Sequence, residues 1–135
     1  MNWTLEVVVV PVSDVDRAKD FYHRQLGFSV DHDTPISDEM RVVQLTPPGS
    51  GCSIVIGTGV GGGMSPGSLE GLQLVVRDIR EAHDDLVGRG VAVSDVRILG
   101  ENPGAVADPL DNVGFVFFDD PDGNSWAVQQ ISTRI

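Results

Sequence analysis

The chain has 135 residues, 41% of them hydrophobic, which is the size of one ordinary domain with enough apolar material to build a core without disulfides. Twenty Asp and Glu against nine Lys and Arg give a formal net charge of −11, which repels phosphate backbones and anionic lipid and so argues against nucleic acid and membrane partners. The single cysteine, Cys52, has no internal partner for a bridge, so nothing requires an oxidising compartment and a cytoplasmic location is expected.

The opening MNWTLEVVVV lacks a basic n-region, and its apolar run is too short to span a bilayer before Pro11, so LEVVVVPV reads as a buried strand. In SDVDRAKDFYHRQLGF, Ser13 or Asp14 caps a helix on which Val15, Ala18, Phe21, Tyr22 and Leu26 recur at helical spacing, with Gly27 as its stop. FSVDHD, MRVVQLTP and CSIVIGTG follow as three short strands separated by the turn formers TPISDE and PPGSG. This is one βαβββ module, about residues 1–58. The glycine-rich GTGVGGGMSPGS reads as a flexible connector over 59–68, and it does not lead from a strand into a helix as a phosphate-binding loop must.

From residue 69 to 135 the order begins again. LEGLQLVV is a strand, RDIREAHDDLVGRG an amphipathic helix closed by Gly90, VAVSDVRIL a second strand, and NVGFVFFDD and SWAVQQI complete the set. Placing Asp14 on Asp78 also matches Val12 with Val76, Val15 with Ile79 and Ala18 with Ala82. Placing Gly51 on Gly123 matches Ser53 with Ser125 and Ile54 with Trp126. The chain therefore reads as an internal duplication within one domain.

VPVSDVDRAKDFYHRQLGF and DDPDGNSWAVQQI, joined by this duplicated order, resemble the vicinal oxygen chelate superfamily, which includes glyoxalase I, extradiol dioxygenases and bleomycin resistance proteins. The resemblance covers nearly the whole chain. It implies an α+β fold in which two tandem βαβββ modules form a curved, incompletely closed mixed β-sheet, with helices outside and a central cavity. It also implies a homodimer, sometimes with exchanged modules. In the metal enzymes of that superfamily the cavity holds an ion through the first and fourth strands of each module. The corresponding positions here are Val7 and Gly71 on the first strands and Val55 and Ala127 on the fourth, none of which offers a donor. A one-residue slip would bring in Glu6 or Glu70, but alternation would then turn the other apolar residues of each strand to the wrong face. His23 and His83 fall on the outer helices and His32 stands alone on a strand, so no metal and no cofactor are expected.

Alternation puts Val9, Pro11, Ser53, Gly57, Gln73, Val75, Ser125 and Gln129 on the same face as those positions. Gln44 is placed there too, because Val43 and Leu45 suit the helix-facing layer. The expected ligand-binding set is Val7, Val9, Gln44, Ser53, Val55, Gln73, Ser125, Ala127 and Gln129, with Gln73 and Gln129 either orienting a ligand or bonding each other and backbone. Of the aromatic residues, Trp126, Phe21, Tyr22 and Phe28 belong to the helix-facing layer, leaving Trp3, Phe115 and Phe117 to stack on a ligand.

ILGENPGAVADPLDN is long for a strand connection and could act as a lid. Its acids Glu101, Asp108 and Asp111 are the catalytic candidates, since desolvation at a cavity mouth would raise a carboxyl pKa toward that of a general base. These readings leave three functions open. The first is a metal-free binding protein for an apolar or cationic small organic ligand. The second is a cofactor-independent isomerase, lyase or cyclisation catalyst, and the third a metal-dependent lyase or dioxygenase with a non-standard site.

Overall fold

The computed structural model describes residues 1–60, 62–101 and 107–134. The fold is α+β, built from two βαβββ repeats, each with a mixed four-stranded sheet and no closed barrel. In the first unit (Met1–Leu69 with Asp120–Asn124) the strands are β1 (Val7–Val9), β2 (Ser29–Ser37), β3 (Met40–Thr46) and β4 (Ser53–Thr58). They lie in the order β1-β4-β3-β2, with β1 parallel to β4 and the other pairs antiparallel. The second unit (Glu70–Asp119 with Ser125–Ile135) repeats this as β5-β8-β7-β6, using β5 (Leu72–Val76), β6 (Arg97–Ile98), β7 (Gly114–Asp119) and β8 (Ser125–Gln130). Register confirms the duplication residue by residue. Val9 faces Val55 across the parallel pair of the first sheet, and Gln73 faces Ala127 at the same place in the second.

Each helix starts where its aspartate caps it. Helix α1 (Val15–Asp20) begins at Asp14, whose carboxylate accepts from Arg17 N, and runs on through a π-helical turn, Phe21–Gln25. Helix α2 (Ile79–Gly88) begins at Asp78, which accepts from Arg80 N and Glu81 N. Gly27 and Gly90, at φ 78° and 81°, provide the left-handed residues that turn the chain away after the helices. Ala18, Tyr22, Phe28, Val43, Leu45 and Ile56 form the core of the first unit. Ile79, Val116, Phe118, Trp126 and Val128 form that of the second, with Phe118 stacked on Trp126 at 6.0 Å.

Two expectations about strands are corrected. TPIS does not turn: it extends β2 to Ser37, and the reversal is made by Asp38 and Glu39. Pro35 fits there because β2 is an edge strand, where a missing N–H is tolerated, and the register shifts directly after it, between Pro35 and Ser37. VAVSDVRIL is not one continuous strand but a bridge at Val93 followed by β6. The cause is Ser94, whose hydroxyl accepts from Phe117 N and donates to Asp95 O, diverting the ladder. At the end of the connector Gly67 N donates to Pro11 O, and Ser68 N closes a turn onto Ser65 O. Gly61 of the connector and residues 102–106 of the long loop lie outside the described residues.

The DPDGN hairpin turn folds as part of the first unit. Asp120 is buried and accepts five hydrogen bonds, from Tyr22 Oη at 2.7 Å, Asn124 Nδ2 at 2.7 Å and the backbone N–H groups of Asp122, Gly123 and Asn124. Asn124, fully buried, also donates to Pro11 O and accepts from Leu69 N. Asp122 accepts from both Ser13 N and Ser13 Oγ at the start of α1, and pairs with Arg17 at 3.3 Å.

Candidate functional site

Each sheet has one face against its helix and one turned away, and the expected ligand-binding residues lie on the latter. In the first unit Val43 and Leu45 are buried under α1, which puts Gln44 on the other face with Val7, Val9, Ser53 and Val55. Gln44 is engaged there by its own chain: its Oε1 lies 3.2 Å from His32 Nε2, and its Nε2 donates to Glu6 at 3.5 Å. Ser53 Oγ lies 2.6 Å from Thr46 Oγ1, which in turn donates to Asp31. At one end of this sheet a cavity of about 480 Å³ is lined by Pro11, Ser13, Val15, Gly57, Thr58 and Met64 among others, and so includes two residues of the expected face, Pro11 and Gly57.

In the second unit two cross-strand rows lie side by side on the face away from α2. One row runs Arg97, Phe115, Gln129, Val75, and the next runs Phe117, Ala127, Gln73. Gln73 donates to Gln129 Oε1, and Gln129 Nε2 donates to Asn112 O at 2.7 Å, so these amides bond each other and backbone. Phe115 and Phe117 stack at 6.0 Å with planes 5° apart, and the Arg97 guanidinium sits 5.6 Å from the Phe117 ring centre. Trp3 is 88% exposed and has no aromatic stacking partner among the described residues. Ser125, at the start of β8, is half-buried.

Of the four positions that the resemblance assigns to metal ligands, Val7 and Val55 lie in the first sheet, Ala127 lies in the second, and Gly71 immediately precedes β5. Their side chains do not fit a divalent ion. Among the described residues no group of three or more His, Cys, Asp or Glu converges on one point. Glu6, the one acid near this register in the first unit, is within reach of the Gln44 amide.

In the structure the Asp108 and Asp111 carboxyls shift downward rather than upward. Hydrogen bonds from Gln130 Nε2 and then Leu110 N hold the Asp108 carboxyl below its usual range, and those from Ser132 Oγ and then Ser132 N do the same for Asp111. Donors stabilise the ionised form of both, so neither is tuned to accept a proton near neutral pH. Glu101 is exposed. Gln130, which the sequence did not single out, is buried under α2, where it accepts from Ile79 N and fixes Asp108.

A sequence model of the Glyoxalase/Bleomycin resistance protein/Dioxygenase superfamily matches residues 4–128. The chain belongs to that superfamily. Among solved structures, the chain is similar to TnmS3, an antibiotic binding protein from Streptomyces sp. CB03234, at 34% identity and a TM-score of 0.74 over 97% of this chain and 98% of that one. A glyoxalase/bleomycin resistance protein from the same organism matches at 33% identity and 0.74, over 94% and 100%. A superfamily member from Sphaerobacter thermophilus DSM 20745 matches at 29% and 0.75, over 96% and 98%. A search of curated proteins gives no significant match. Among the described residues no helix is long and apolar enough to cross a membrane.

Proposed function

We propose that this chain is a metal-free small-molecule binding protein of the glyoxalase/bleomycin resistance type, which holds a largely apolar organic ligand on the helix-free side of a sheet. The carrying observation is the set of four donor-less positions, Val7, Gly71, Val55 and Ala127, on faces otherwise made of apolar side chains and neutral amides. Full-length similarity to an antibiotic binding protein supports the same reading. In it, Val7, Val9, Val55 and Ala127 provide apolar wall, Ser53, Ser125 and Gln44 provide polar anchor points, and Gln73 and Gln129 act as a prearranged amide pair. The low carboxyl pKa values of Asp108 and Asp111 favour binding over proton transfer.

A thermal-shift panel of apolar, cationic and anionic organic compounds tests the proposal. A true ligand at a hundredfold excess over its Kd stabilises the fold by about 2.7 kcal/mol. No shift with any compound, or stoichiometric Zn, Ni, Mn or Fe in the purified protein by elemental analysis, overturns it.

We further propose a cytoplasmic homodimer. Exposed Trp3 and Leu5 precede edge strand β1, and exposed Ile98 and Leu99 lie at and after edge strand β6, which supports pairing through these margins.

A further inference from the structure

The helix-free face of the second unit has a feature that a generic apolar wall would not need. Phe115 and Phe117 stand parallel on adjacent rows, both half-buried, so one side of the pair is packed while the other stays open. Arg97, exposed on edge strand β6, pairs with Phe115 across the ladder and lays its guanidinium against Phe117. Arg97 has no carboxylate partner among the described residues, although the chain carries twenty acids to nine basic residues. On the same rows Gln73 engages its amide nitrogen with Gln129, while its Oε1 has no partner among the described residues.

We infer that this face is a half-site for a flat aromatic ring carrying an ionised acid, in which Phe115 and Phe117 take the ring and Arg97 takes the charge. The inference deepens the small-molecule reading above and rests on it. A guanidinium within reach of an aromatic ring and without a carboxylate partner keeps N–H groups available, and two of them match the two oxygens of a carboxylate. The second aromatic plane extends the contact area for a ring larger than benzene. The net charge of −11 attracts cations at long range, but it is screened over about 8 Å at physiological ionic strength, so at contact the local guanidinium decides. The Gln73–Gln129 pair, already oriented along the neighbouring row, offers a polar boundary on the opposite side of the rings from Arg97.

Three probes that share one ring system and differ in charge test this by isothermal titration: 2-naphthoate, 2-naphthamide and 2-naphthylmethylammonium. The expected order is naphthoate tightest, by at least about tenfold over the ammonium compound. Arg97→Gln should bring naphthoate down to the level of naphthamide while leaving naphthamide unchanged, and Arg97→Lys should restore part of the gap. Phe117→Leu should weaken all three. A preference for the ammonium probe, or an unchanged preference in Arg97→Gln, overturns the acid-reading role and leaves the small-molecule reading standing. Failure of all three probes to bind overturns the half-site, and the wider thermal-shift panel on the same preparation then decides the small-molecule reading separately.

Discussion

At the scale of single residues, the strongest charge effect is structural. Asp33 on β2 accepts from Arg41 at 2.9 and 2.8 Å and from Lys19 at 2.8 Å, and Arg41 also reaches Asp16 on α1 at 2.7 Å. These partners hold the Asp33 carboxyl well below its ordinary value of 3.8, the Arg41 hydrogen bonds first and the Lys19 bond second, and the Asp33 and Asp16 bonds raise Arg41 in turn. A carboxyl whose folded pKa is depressed contributes stability that is complete above its unfolded pKa and is lost as pH falls through the folded value. Asp33→Asn should therefore lose about 1–2 kcal/mol at pH 7 in urea unfolding, with the gap to the parent chain narrowing as pH drops below about 4. Asp108 and Asp111 act in the same direction. Little of this was legible in the sequence, where Asp33 was one acid of twenty and nothing in its local spacing named Arg41 or Lys19. Gln44 was legible, because the apolar neighbours Val43 and Leu45 fixed its face by alternation alone.

At the scale of elements, local chemistry was readable and pairing across the fold was not. Asp14, Asp78, Gly27 and Gly90 act within a few residues of themselves, so both helices could be placed. The ends of β2 and β6 depend on partners: an edge location that tolerates Pro35, and a Ser94 hydroxyl that captures Phe117 N. The DPDGN turn was seen as a turn but not as a clamp, because Tyr22 and Asp120 are 98 positions apart. The clamp makes a graded prediction. Asp120→Ala removes the carboxylate that accepts from the Tyr22 hydroxyl, the Asn124 amide and the backbone N–H groups of Asp122 and Asn124, and should cost about 3 kcal/mol or more, whereas Tyr22→Phe should cost about 1 kcal/mol. Gly67→Ala belongs to the same unit: at φ +81° its Cβ would lie 2.0 Å from Asp122 O, so the backbone must move, at a cost on the order of 2 kcal/mol. Urea midpoints of the three variants should fall in that order of severity, with Asp120→Ala lowest and Tyr22→Phe nearest the parent.

At the scale of the whole molecule, duplication was the most legible feature, since a repeat in sequence order becomes a repeat in strand order, down to Val9 with Val55 and Gln73 with Ala127. The proposed homodimer makes a prediction at this scale. Sedimentation should give twice the 14.4 kDa chain mass, and Trp3→Ser with Leu5→Ser should shift the population toward single chains without changing the far-ultraviolet circular dichroism of the sheet. The DPDGN clamp bears on how such a chain is made. The Tyr22 hydroxyl, the Pro11 carbonyl and the Leu69 amide of the leading repeat bond to Asp120 and Asn124, 98, 113 and 55 positions further along the chain, so these contacts form only after the second repeat has been made. A leading repeat expressed alone would lack those partners and should unfold more readily than the same residues in the whole chain.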